Sequence, residues 1–138
     1  MSNTVRIFVT IILLSAMLGC EKKKVVPPTP DPPKEENIVF SIDPDPGSGV
    51  AVALSGTYAF KVNVSSKLTT SGVKVDLTTK KDADNNTVDS KNLDSNIPGI
   101  DLSTGILNPG ILCTVSVTVT SKITATNTVT KSFKVARK

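Results

Sequence analysis

The sequence contains no histidine and no tryptophan, one tyrosine, four phenylalanines and two cysteines among 138 residues. Without imidazole there is no His general base and no His metal ligand, and without indole no Trp platform for stacking on sugars or bases. Neither charge sign dominates: 16 Lys+Arg against 12 Asp+Glu leave +4, or +3 (4 − 1) if Arg6 is removed with a cleaved leader. So small and dispersed a balance gives no basis for nucleic acid as a partner. Setting aside the first 37 residues leaves 138 − 37 = 101, enough for one domain and too few for a multidomain enzyme.

What is present begins with an address. One cation, Arg6, precedes an almost wholly apolar run from Ile7 to Leu18. Those twelve residues would rise about 18 Å as a helix, against a hydrocarbon core of roughly 30 Å, so they suit a secretory signal better than a membrane span. The run ends in Met17-Leu18-Gly19-Cys20. This resembles the lipobox of bacterial lipoproteins, usually written Leu-x-(Gly/Ala)-Cys, with Met17 in place of the commoner Leu. The resemblance implies a signal peptide over residues 1–19, cleavage after Gly19 and a diacylglycerol thioether on Cys20, the new N-terminus. Glu21 is not the aspartate linked in that family to inner-membrane retention, which implies the outer membrane.

Residues 20–37 contain few groups able to build a core. Five of the nine prolines lie between Pro27 and Pro33, which favours extended polyproline II. At about 3.1 Å per residue, the 18 steps from Cys20 to Ile38 reach on the order of 55 Å, several times the roughly 13 Å radius of gyration of a 100-residue domain. The stretch therefore reads as a tether. Lys22, Lys23 and Lys24 read either as a solvated charge run or as contacts to anionic headgroups. A Pro-rich ligand for a peptide-binding domain is a third reading.

From Ile38 to Lys138 the apolar period is two. Ile38, Phe40 and Ile42 alternate with polar neighbours, as do Tyr58–Val64, Val73–Leu77 and Ile111–Val119. Val129, Phe133 and Val135 share a face that Lys131 interrupts. Turn signals separate the runs: Asp43-Pro-Asp-Pro-Gly-Ser-Gly49, Ser55-Gly56, Ser71-Gly72, Asp84-Asn85-Asn86, Pro98-Gly99 and Asn108-Pro109-Gly110. Adding Val50–Leu54 and a weaker strand near Thr87–Ser90 or Ile100–Leu102 predicts about seven strands in an antiparallel β-sandwich. Ile111–Ser121 and Thr128–Val135 should form a hairpin turning through Thr124–Asn127. All four aromatics of this region are expected to face inward.

The stretches Gly56–Val64, Ser71–Val75, Cys113–Val119 and Lys131–Val135 resemble those of a bacterial immunoglobulin-like domain, with fibronectin type III and other bacterial sandwiches equally open. A core Trp and a second cysteine in the Tyr58–Val64 strand are missing, so the resemblance implies no inter-sheet disulfide. If Cys20 is acylated, Cys113 is the sole remaining thiol, and its place beside Val115 and Val117 predicts an inert core side chain.

Candidate sites are few. Asp82, Asp84 and Asn86 have the alternating oxygen-donor spacing of calcium loops. Thr87 and Leu93, however, stand where such a loop wants Gly and Glu, and a polar hairpin turn explains the stretch more simply. Asp43 and Asp45, flanked by Pro44 and Pro46, read as a turn before a glycosidase carboxylate pair. The abundant Ser and Thr offer no serine nucleophile, since nothing picks out a lysine base. The expectation is a non-enzymatic, lipid-anchored envelope domain with no cofactor beyond the covalent lipid. It would bind an envelope or extracellular protein through end loops or a strand edge. The alternative is a glycan- or surface-polymer-binding accessory lipoprotein, with calcium assisting.

Overall fold

The computed structural model describes residues 34–138. The signal, Gly19, Cys20 and nearly all of the Pro-rich stretch lie outside the described residues. Within them all eight regular elements are strands: β1 (Phe40–Asp43), β2 (Val50–Ala53), β3 (Ala59–Val64), β4 (Val73–Lys81), β5 (Thr87–Ser95), β6 (Gly99–Ser103), β7 (Leu112–Ser121) and β8 (Thr128–Arg137). They form a three-stranded sheet, β1-β3-β6, and a five-stranded sheet, β2-β8-β7-β4-β5.

The expected count of seven is thus one short, because Thr87–Ser90 and Ile100–Leu102 both belong to strands. β5 runs on to Ser95. Only Val88 and Leu93 of this strand pack against the core; its other residues are polar because it closes one edge of the larger sheet and has little to bury. The second correction concerns direction. β2 pairs in parallel with β8, Val50 opposite Lys134 and Ala53 opposite Arg137, while all other pairs are antiparallel. The hairpin of β7 and β8 forms as the sequence predicts, with Thr120 opposite Thr128 and Cys113 opposite Val135.

Alternation places the two sheets face to face. Val73, Val75 and Leu77 of β4 and Cys113, Val115, Val117 and Val119 of β7 point inward and are fully or almost fully buried. They meet Phe40, Ile42, Phe60, Val62, Val64, Ile100 and Leu102 from the smaller sheet. Apolar area removed from water at about 25 cal/mol per Å² is what holds two such sheets together. The aromatics concentrate at one point: the Phe60 and Phe133 rings meet edge-to-face at 5.4 Å between centroids, and Tyr58 lies 5.8 Å from Phe133. Tyr58 itself is only partly buried. Lys131, which breaks the apolar face of β8, lies at the margin with its ammonium 5.4 Å from the Phe40 ring centroid. It keeps its charge in water while its stem covers apolar surface.

Outside the core, the face of the five-stranded sheet carries paired hydroxyls. Ser116–Ser132, Thr118–Thr130 and Thr120–Thr128 are hydrogen-bonded across β7 and β8 at 2.8 to 2.9 Å. Each such cross-strand pair contributes roughly 0.2–1 kcal/mol. Gly72, at φ +72°, turns the chain into β4 where an added Cβ would run into the Ser95 carbonyl oxygen, which explains the Ser71-Gly72 signal.

One core residue works against the fold. Thr79 of β4 is completely buried and its Oγ1 has no hydrogen-bond partner among the described residues. A desolvated, unpaired hydroxyl costs about 1–3 kcal/mol, and valine has nearly the same shape. Thr79→Val should therefore stabilise the domain by about 1 kcal/mol, read as a higher midpoint of urea unfolding with unchanged slope.

Candidate functional site

The sandwich has two distinct ends. At one, the chain enters against the β7–β8 turn. The Asn127 side chain brackets the entering backbone, its amide donating to the Glu36 carbonyl at 2.9 Å and its oxygen accepting from the Ile38 N–H at 3.0 Å. The Lys67 N–H donates to the Glu36 carboxylate at 3.0 Å. The Glu35 carboxylate stands beside Ser121, Thr124 and Asn127, with Ser121 the main group holding its pKa below the usual range. Its Oε2 is buried without a hydrogen-bond partner among the described residues. Residues 35–37, grouped with the tether on sequence, are thus fastened to the sandwich.

The residues singled out as a calcium constellation lie at the other end, in the turn from β4 to β5. Asn85 takes φ 57°, the left-handed conformation that Asn tolerates. Asp84 accepts from the Asn86 backbone N–H at 3.0 Å and from its side-chain amide at 2.6 Å. Asp82 turns elsewhere: it accepts from the Thr114 hydroxyl at 2.6 Å and from the Lys134 ammonium. The three residues are close in the chain, but their oxygens do not converge. No group of three or more His, Cys, Asp or Glu stands together among the described residues. Of the other acidic pair, Asp45 accepts from the Gly47 N–H at 2.9 Å, a local turn bond.

Thr78, Lys80, Lys81, Asp82, Asn85, Thr114 and Ser116 line a polar recess of about 370 Å³ beside this turn. It holds hydrogen-bond donors and acceptors of every kind and no aromatic ring. The Lys134 ammonium, followed by the Thr114 hydroxyl, pulls the Asp82 carboxyl below its ordinary pKa. A depressed carboxylate confers its stability in full above the unfolded value of about 4 and loses it as pH falls through the folded value. Tm should therefore fall below pH about 4 in the native chain, and less steeply in Asp82→Asn. Identical acid profiles would show that the pair does not bear on folding.

Cys113 is fully buried and free. Burial, with Asp82 nearby, pushes its thiol pKa up, away from the thiolate that nucleophilic chemistry needs.

The same end carries a feature not foreseen from the sequence. Of nine exposed large apolar side chains among the described residues, Val50, Val52, Leu54, Ile106, Ile111 and Leu112 gather around β2. Leu112 and Val52 flank Ala136 in one cross-strand row on the outer face. The signal was available: no charged residue occurs from Pro46 to Phe60. Compared with known protein families, curated proteins and solved structures, the chain finds no match.

Proposed function

We propose that the protein is a lipid-anchored component of a bacterial outer membrane whose immunoglobulin-like domain binds another envelope or extracellular protein, without catalysis. The observation that carries the location is Met17-Leu18-Gly19-Cys20 behind a short apolar run and ahead of a Pro-rich stretch. Two or three acyl chains hold a protein at a bilayer where one does not, since each buried methylene adds about 0.8 kcal/mol.

Strand order supports the immunoglobulin-like reading. The N-terminal region divides between sheets, β1 beside β3 and β2 beside β8, and a β8-β7-β4-β5 sheet faces β1-β3-β6. Such a division of strands between two packed sheets is the plan of that superfold. The chain enters the domain at the Asn127 end, and the β4–β5 turn and the apolar edge lie at the opposite end of the sandwich. The recess at Lys80, Asp82 and Thr114 favours a second reading, glycan binding through hydroxyl and amide contacts.

Recovery of partners from envelope extracts tests the first reading, with full-length protein as bait and glycan arrays alongside. A specific protein recovered supports it. Glycan binding with no protein recovered replaces it with the second.

Calcium needs Asp82 to release Lys134, so adding calcium or a chelator is expected to leave Tm unchanged.

A further inference from the structure

We propose that the exposed edge of β2 pairs with β2 of a second copy of this chain. The two sheets have four edge strands, and three are guarded by charge: β1 by Asp43, β6 by Asp101, and β5 by Asp89, Lys91 and Asp94. β2 carries none, and it lies in an uncharged run from Pro46 to Phe60. Charge on an edge strand is the usual device against edge-to-edge pairing, and here one edge alone is without it.

The backbone of that edge is open. In the parallel pair, Lys138 N–H donates to the Ala53 carbonyl at 3.3 Å, so Ala51 and Ala53 direct their amide groups at β8. Val50, Val52 and Leu54 direct theirs away, and among the described residues no bond outside the sheets reaches them. Their side chains are 47%, 44% and 87% exposed.

The sequence of the edge selects its occupant. Val50-Ala51-Val52-Ala53-Leu54 reads large-small-large-small-large about Val52. In an antiparallel pair with Val52 on the two-fold axis, Val50 meets the partner's Leu54 and Ala51 meets the partner's Ala53. Every large side chain meets a large one on the outer face, and every alanine meets an alanine on the inner. That is the self-complementarity an isologous interface requires. Ile106, Ile111 and Leu112 widen the apolar contact beside this edge.

The pairing has a directional consequence. β2 runs parallel to β8, which starts at the Asn127 end, so antiparallel pairing sends the two entry ends in opposite directions. The pairing stands or falls on the domain alone and does not depend on a lipid anchor at Cys20.

The test uses residues 34–138, which contain both sheets and the core found among the described residues. Sedimentation of the wild type up to roughly 1 mM, comparable to the effective concentration between linked modules, should show monomer passing to dimer. Val52→Lys sets two ammonium groups opposite each other and should weaken association by about tenfold or more, with Tm unchanged. Val52→Cys should cross-link to itself on mild oxidation, because Cα atoms opposite each other at about 5.5 Å fall within disulfide range. Asn92→Cys on the β5 edge should not. A wild type that stays monomeric throughout overturns the proposal, as does a dimer that Val52→Lys leaves intact or equal cross-linking at both edges.

Discussion

Phe133→Ala will remove the ring on which the two sheets converge, and the domain is expected to lose about 3–5 kcal/mol. The site cannot relax to fill the gap. Phe60 and Tyr58 border it from the smaller sheet's side, with centroids 5.4 and 5.8 Å away. On its own sheet Phe133 is flanked through the ladder by Val115, which is fully buried. Strand backbones held in their ladders move little, so the void stays and its walls lose their contacts. At about 4 °C or more per kcal/mol for a domain of this size, Tm should drop by roughly 15 °C. Thermal or urea unfolding followed by circular dichroism reads this directly. A loss below about 1 kcal/mol would mean that the sheets are not joined at this cluster.

Cys20→Ser is expected to abolish acylation completely. Serine keeps the size and polarity of the site but offers no thiol for thioether formation, so the effect isolates the covalent step. In cells fed labelled fatty acid, the wild type should take up label and give a mature mass starting at residue 20. The variant should take up none and keep residues 1–19. Label on the variant, or none on the wild type, would remove the anchor from the proposed function and leave only the binding domain to explain.

The sequence made the inner strands legible and the margins obscure. Val75, Val117 and Val119 declare themselves by strict alternation because both neighbouring strands bury the same face. The β7–β8 hairpin follows from two such runs and the short polar stretch between them. β5 is half-hidden because Leu93 alone of its inward positions is apolar, and a single residue makes no period. The parallel course of β2 was hidden for a different reason: direction depends on where a distant strand runs, and Val50–Leu54 alternates equally well either way. Cys113 was placed correctly from its neighbours Val115 and Val117. At the candidate site, the Asp84-Asn85-Asn86 turn was legible from residue type. The diversion of Asp82 to Lys134 was not, because 52 residues separate the two. Lys131 was read as an interruption of a buried face. It is one only in the period, since the side chain lies where the sandwich opens to water beside Phe40.

The parallel pair of β2 and β8 also sets an order of events for a chain threaded N-terminus first. Ala53 is buried, yet the strand beside it ends at Arg137, so this seam stays open until the region around Arg137 has emerged. Until then a segment without charge and rich in valine and alanine waits uncovered.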